Sequence, residues 1–443
     1  MSEQMKPSGI DWIGDVPQSW NLLKLKYFSY LKGRIGWQGL TADEFTEEGP
    51  YLITGTDFEN GRIQFDRSYH ISEERYSQSP EIQLKKGDLL VTKDGTVGKI
   101  AYVDFLPGKA SLNSHLLLIR PLFKKFDNRF LFWLLGSSVF NGYTEYAQDG
   151  TVMASLSQEK IGNFLAFFPP IKEQQAIADY LDKQCGKINE IILALEKQIE
   201  ILKKYKKSLI LETVTKGLNK FTAMKSSGVD WIGKIPEHWV TSKIKYCIGL
   251  IGSGTTPESG NPLFYEDGNY NWIQSGDLYQ TDYIYSTDKK IALLAVKNNP
   301  ALTYYEKDFV VVAMYGASVG NVSISKIDAY TNQACCVIKA KENDDIRYLF
   351  YYFKAAQDEM LLKAFGGTQP NISQIIIKNL NYLQIPVEEQ KAISDYLDKQ
   401  CGKIESILKD KQKQLEKINQ HKKFLIYEYV TGKKRVKEIM NGD

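Results

Sequence analysis

From Lys172 to about Lys216 the apolar residues return at alternating steps of four and three: Ile188, Ile192, Leu195, Ile199, Leu202 and Leu209. No proline interrupts the run, and Gly186 is its only interior glycine. This spacing predicts a helix whose apolar stripe is a coiled-coil seam. A second run places Ile404, Leu408, Leu415, Ile418 and Leu425 at matching positions, with Lys411 where the first has Leu195. Pro170 and Pro386 punctuate the two helix starts. About 45 residues at 1.5 Å each make a rod of roughly 65 Å, which must bury its seam on something. The expected partner is its own copy, packed antiparallel. An intermolecular coiled coil that makes a homodimer is the alternative.

The stretches before each helix carry another pattern. Short apolar runs such as DLLVT, HLLLIR, DFVVVAMY and CCVIKA are rich in β-branched and aromatic residues and bounded by Gly, Asp, Asn and Lys, as strands are. Phe126 to Ala147 and Asp344 to Phe365 have helical periodicity instead. The fold class expected is therefore α+β, a globular domain followed by one long helix, and the whole arrangement occurs twice.

The duplication is written in the residues. SGIDWIGDVPQSW (Ser8 to Trp20) returns as SGVDWIGKIPEHW (Ser227 to Trp239), and EQQAIADYLDKQCGKI (Glu173 to Ile188) returns as EQKAISDYLDKQCGKI (Glu389 to Ile404). Between these anchors the copies diverge but stay in order: KKGDLLVTKDGTVGK against EKDFVVVAMYGASVGN, SLNSHLLLIR against YTNQACCVIK, GTVMASLSQ against GTQPNISQ. The expected division is 1–170 and 223–386 for the globular domains, with 171–222 and 387–443 for the helical spacers.

Composition narrows the class without choosing a function. A chain that is 43% apolar and 25% charged is ordinary for a globular protein, and a net charge of +3 is too small to argue for nucleic acid by itself. Local basic runs exist at KKYKK (Lys203 to Lys207) and KKRVK (Lys433 to Lys437), as they do on any solvated helix face. No stretch has the length of a membrane span, and MSEQMKPSG carries no apolar segment, so a cytoplasmic protein with reduced cysteines is expected. His70, His115, His238 and His421 are far apart in sequence and no cysteines have CxxC spacing, so no metal site is expected. Cys335 and Cys336 read as buried free thiols.

Catalytic motifs fail one by one. GTVGK (Gly95 to Lys99) lacks the upstream glycine and the Ser/Thr of a phosphate loop and reads as a turn between strands. No HExxH or GxGxxG is present. Asp344 and Asp345, like Glu388 and Glu389, precede helices, where capping is the expected role. Trp12, Trp20, Trp231 and Trp239 recur with the repeated motif and are expected to pack the N-terminal arm of each copy. The chain reads as a binder rather than an enzyme. Two diverged domains joined by a helical ruler suit the reading of two features at fixed separation, as in duplex DNA. A coiled-coil adaptor with two protein-binding domains is the rival.

Over essentially its whole length the sequence resembles the specificity subunits of Type I restriction-modification enzymes. The resemblance rests on DWIGxxPxxW (Asp11 to Trp20, Asp230 to Trp239), on GTQPNIS (Gly367 to Ser373) and on PxxEQxxIxxYLD (Pro170 to Asp182, Pro386 to Asp398). The first copy departs from it at GTVMASLS, where Val-Met-Ala replaces Gln-Pro-Asn. The resemblance implies two target recognition domains that each read one half of an asymmetric, interrupted double-stranded DNA site. It also implies docking of two methyltransferase subunits, which use S-adenosylmethionine for adenine N6 methylation, and of two restriction subunits that use ATP and Mg for cleavage. No cofactor is expected on this chain, and no membrane partner. Candidate DNA contacts are polar residues beside glycine in the strand-end loops. In the first domain they are Thr54, Thr56, Arg62, Lys93, Thr96, Lys99, Asn113 and His115. In the second they are Gln274, Ser275, Tyr315, Ser318, Asn321, Asn332, Gln333, Gln369 and Asn371. His115, which opens an apolar run, is alternatively a core histidine.

Overall fold

The computed structural model describes residues 4–34, 40–122, 126–147, 156–279, 281–316, 318–365 and 371–436. It contains two compact units that do not follow chain order. The first takes Met1–Glu196 together with Lys413–Asp443, and the second takes Lys197–Gln412. Each unit therefore holds one globular half, the near part of the long helix that follows it, and part of the other long helix.

The long helices run over Ile171–Lys216 and Val387–Val430. Their direction follows from the contacts inside each unit. In the first, Tyr180 meets Tyr429 with ring centroids 4.4 Å apart, and Lys422 Nζ donates to Asn189 Oδ1 at 2.7 Å. In the second, Lys411 Nζ donates to Gln198 Oε1 at 2.6 Å and Lys206 pairs with Glu405. Each advance along one helix is matched by a retreat along the other, so the helices pack antiparallel. The predicted seam is the covered side: Ile188, Ile199, Ile404 and Leu425 are buried, and Ile192, Leu195, Leu202, Leu209, Leu408, Leu415 and Ile418 are half-buried. Lys411 keeps its place in the seam by directing its ammonium to Gln198.

The first globular half is built on a four-stranded antiparallel sheet in the order Ile100–Tyr102, Leu89–Thr92, Leu116–Pro121, Ser29–Gly33. A second sheet pairs Phe45–Ile53 antiparallel with Tyr69–Ile71 and parallel with Ala110–Leu112. The second half repeats the plan. Leu250–Ser253, Cys335–Lys339, Phe309–Ala313, Val322–Ser325 and Tyr283–Ile284 form a five-stranded sheet, and Tyr270–Ile273 pairs parallel with Tyr330–Thr331. Val, Ile, Leu and Cys line both faces of the central strands, and all five cysteines are free and buried. The two stretches of helical periodicity each hold a pair of helices, Asn128–Leu135 with Ser138–Ala147 and Ile346–Ala355 with Gln357–Leu362. In the first pair the buried Ser137 hydroxyl donates to the Leu134 carbonyl at 2.6 Å and accepts from the Val139 N–H at 3.2 Å, ending one helix and starting the next.

The repeated sequence motifs are the joints of the fold. Gln174 Oε1 accepts from the Asp127 N–H at 2.8 Å while its amide donates to the Pro169 carbonyl at 2.8 Å; Gln390 does the same with Asp345 (2.9 Å) and Ile385 (3.2 Å). Arg129 reaches Asp179 (2.6 Å) and Asp182 (3.4 Å) on the long helix, and Arg347 reaches Asp395 and Asp398, both at 2.8 Å. Asp345 caps its helix as expected, accepting from the Arg347 N–H at 2.7 Å. Glu388 and Glu389 lie inside the first turn of the long helix rather than before it, and the Glu389 carboxylate accepts from the indole N–H of Trp239 at 3.0 Å and meets His238 Nε2 at 2.7 Å. Trp20 and Trp239 are wholly buried. Each lies against a helix-ending glycine with positive φ, Gly432 (φ +71) and Gly217 (φ +74) respectively. The end of the second long helix thus completes the first unit's core, where Ile426 and Val430 pack with Trp20, Phe130 and Leu181.

Candidate nucleic-acid interface

In the first half the parallel register Tyr51↔Ala110 to Ile53↔Leu112 ends two strands at one edge. The register Leu116↔Thr92 brings the loop after Thr92 to the same edge. Three loops, 54–57, 93–99 and 113–115, are therefore gathered and tied together. The Asn113 N–H donates to the Ile53 carbonyl at 3.0 Å, the Lys93 N–H to the His115 carbonyl at 2.8 Å, and Lys99 Nζ to the Gly55 carbonyl at 3.2 Å. Asp57 is buried beneath them and accepts from the Thr54 N–H (2.7 Å) and hydroxyl (3.1 Å). Burial pushes its carboxyl above its ordinary range, and the Thr54 bonds oppose the shift.

Seven of the eight first-domain candidates lie in these loops, with two kinds of role. Thr54 and Asn113 hold backbone, Asn113 Oδ1 accepting from the His115 N–H at 3.1 Å, and the Thr96 carbonyl accepts from the Thr92 hydroxyl. Thr56, Lys93, Lys99 and His115 present side chains at the edge. The core reading of His115 is overturned: its side chain is 61% exposed and its Nδ1 lies 2.5 Å from Asp94 Oδ1. The strand begins one residue later, at Leu116. Arg62, the eighth, stands on a separate hairpin, 71% exposed and 3.3 Å from Asp104. It meets Lys99 across a groove of about 670 Å³, also lined by Arg129, Lys422 and Lys423.

The second half forms the same edge. Asp277 accepts from the Gln274 N–H at 2.7 Å, and burial raises its carboxyl as it does that of Asp57. The Ser318 hydroxyl donates to the Ser275 carbonyl, and Asn321 Nδ2 donates to the Leu278 carbonyl at 3.3 Å. Asn332 donates its N–H to the Ile273 carbonyl at 2.9 Å and accepts from the Ala334 N–H at 3.0 Å. Gln333 is exposed and bonded to the Thr256 hydroxyl. Tyr315 and Asn371 share a cavity of about 440 Å³ with Phe365, Ile372 and Ser373. Gln369 lies outside the described residues.

Sequence reasoning missed the acidic pair Asp57 and Asp277, although the aligned ITGTD and IQSGD carried the signal. It also missed Phe365, 70% exposed in the cavity, which reads as one more core aromatic of a helix. The lysine run KKYKK does not stand free: Lys204 pairs with Glu200, Lys206 with Glu405 and Asp282, and Lys207 with Asp358. Among the described residues no group of three His, Cys, Asp or Glu could hold a metal ion, and no helix is long and apolar enough to cross a membrane.

The chain is similar to known proteins along nearly all of its length. It is 25% identical over 438 residues to the MjaX type I restriction enzyme specificity subunit of Methanocaldococcus jannaschii, covering 96% of each chain. It is 25% identical over 441 residues to the MjaVIII specificity subunit of the same organism, covering 96% of this chain and 95% of that one. A chain of a solved type I R-M system has the same fold, with a TM-score of 0.70 at 15% identity over 94% of this chain and 99% of that one. The family described as the Type I restriction modification DNA specificity domain matches twice, at residues 35–201 and 236–417, one match in each half of the duplication. This chain belongs to that family, and is a non-catalytic specificity subunit of the type I restriction-modification kind.

Proposed function

We propose that this chain reads an asymmetric, interrupted double-stranded DNA site, one recognition domain to each half, for a type I restriction-modification complex. The observation that carries the reading is the edge built twice on one plan. Asp57, buried, and Asp277, half-buried, Asn113 and Asn332, and the positive-φ glycines Gly98 and Gly320 are held in common, while the side chains presented differ. A common scaffold with unlike surface chemistry suits two unlike half-sites. The exposed faces of the long helices, which carry Ile191, Leu193, Ile201, Tyr205 and Phe424, suit the docking of two methyltransferase subunits. Those subunits supply S-adenosylmethionine chemistry at the adenine N6 of each half-site, the base being taken out of the stack to be reached. Two restriction subunits supply ATP- and Mg-dependent cleavage. The work of this chain is to hold the duplex in register.

The test is binding of labelled duplexes by the complex of this chain with its methyltransferase subunits across a salt series. Site-specific affinity should fall linearly in log–log form as counterions are released, and changing the number of base pairs between the half-sites should abolish it. Affinity indifferent to salt, or to that spacing, would refute the reading.

A further inference from the structure

The main-chain hydrogen bonds align the two edges, the loop of the second being one residue longer. The Lys93 N–H donates to the His115 carbonyl and the Leu156 N–H to the Lys93 carbonyl; the Met314 N–H donates to the Ala334 carbonyl and the Ile372 N–H to the Met314 carbonyl. The Thr92 N–H takes the Lys99 carbonyl, and the Ala313 N–H takes that of Asn321. Met314 therefore stands where Lys93 stands, Tyr315 where Asp94 stands, and Ala334 where His115 stands. The short helices that follow are also capped alike, by Ser157 and Ser373. Around a shared backbone, the three positions carry opposite chemistry. The first half has the half-buried Lys93 next in the chain to Asp94, whose carboxylate pairs with the exposed His115. Among the described residues no hydrogen bond holds the Lys93 ammonium. The second half has the Met314 thioether and the Tyr315 ring at a cavity that Phe365 also lines, with the Ala334 methyl buried behind the strand end.

From this juxtaposition, and resting on the DNA-reading function proposed above, we propose that Lys93, Asp94 and His115 determine specificity in the first half and Met314 and Tyr315 in the second. Lys93, on the loop that also carries the Asp94–His115 pair, reads a guanine edge, and the Met314–Tyr315 seat receives a thymine methyl group. In the major groove guanine offers two acceptors, N7 and O6, suited to a lysine, whereas thymine alone offers a methyl group suited to an apolar seat. Neither edge could read the partner's base: an ammonium meets no second acceptor at thymine, and the apolar seat would strand the acceptors of guanine without donors.

The experiment begins with the site itself, mapped by modified-base sequencing in cells that express the wild-type chain with its methyltransferase subunits. His115→Ala and Tyr315→Ala, with Tyr315→Phe as the conservative control, are then mapped alike. Each alanine variant should relax one base position, the two positions lying in different halves, while the opposite half of the motif is unchanged; Tyr315→Phe should keep the wild-type motif. A measurement with the wild-type complex needs no variant to fold. Deoxyuridine in place of thymine, which deletes only the methyl group, should lower the methylation rate roughly fourfold when placed in the half sensitive to Tyr315→Ala and not in the other. 7-Deazaguanine should lower it about tenfold in the half sensitive to His115→Ala. Unaltered motifs in both alanine variants, or indifference to both base analogues, overturns the inference while the wild-type motif still stands. A wild-type chain that directs no motif refutes the function proposed above instead.

Discussion

Arg347 ties the helix Ile346–Ala355 to the long helix Val387–Val430, and its removal is the sharpest test of how each globular half is fixed to its spacer. Its guanidinium reaches Asp345, Asp395 and Asp398, each at 2.8 Å, and Tyr351 donates to the other oxygen of Asp398 at 2.7 Å. The guanidinium is held above its ordinary pKa first by the hydrogen bond with Asp345. Side-chain exposure is 7% at Asp345, 33% at Asp398 and 69% at Asp395, so the three bonds are unequal. The Asp395 bond belongs with surface pairs worth about 0.5 kcal/mol, and the other two, more sheltered, contribute about 1 kcal/mol each. Arg347→Ala should therefore cost about 2–3 kcal/mol, with part of it the mutual repulsion of carboxylates left together. For a unit of this size that is a fall of roughly 5–10 °C in the melting temperature of the second unit. Thermal unfolding of the full chain, read against Arg129→Ala in the first unit, measures it. The cycle with Asp398→Asn should show a coupling above about 0.5 kcal/mol. A shift under about 2 °C, or full additivity in that cycle, would show that apolar packing alone fixes the joint.

Other expectations follow from single positions. Gly432→Ala places a Cβ 2.4 Å from the Pro17 ring and 2.9 Å from Trp20 at φ +71, so it should destabilise the first unit by about 2 kcal/mol or more in urea unfolding. Gly186→Ala meets nothing within 4 Å inside a helix and should stabilise by about 0.5–1 kcal/mol. Burial pushes the thiols of Cys185 and Cys401 up to about 11 and that of Cys336 up to about 12, so the native chain should resist alkylation at pH 8 at all five cysteines. Intact-mass spectrometry before and after unfolding checks this. Lys423→Ala, at the groove shared with Arg62 and Lys99, should weaken all DNA sequences alike and reduce the salt slope by about one.

The sequence exposed the parts of the fold that must be the same twice. Paired motifs such as EQxxIxxYLD returned because Gln174 and Gln390 each bind two backbone groups that no other side chain could serve in that geometry. The seam was legible because its period is set by helix geometry alone. The break at Ser137 was not, since it depends on a hydroxyl bonded to its own turn inside an otherwise helical run. Nor was the discontinuous first unit, where Gly432 and Val430 meet Trp20 from the far end of the chain. Of the candidate site, the loops were visible through their glycines and polar residues. The division between side chains that brace a loop, such as Asn332 and Ser318, and those that face outward, such as His115 and Tyr315, required coordinates. The acidic braces Asp57 and Asp277 looked like ordinary turn residues, because burial is a tertiary property.

The central claim is that this chain chooses the DNA sequence on which partner subunits act. The most direct measurement is modified-base sequencing of genomic DNA from cells carrying the methyltransferase subunit with this chain and from cells lacking this chain alone. The account predicts methyladenine in both halves of one interrupted, asymmetric motif, present in the first cells and absent from the second. Methylation unchanged by the loss of this chain, with the methyltransferase active beside another specificity subunit, would contradict it.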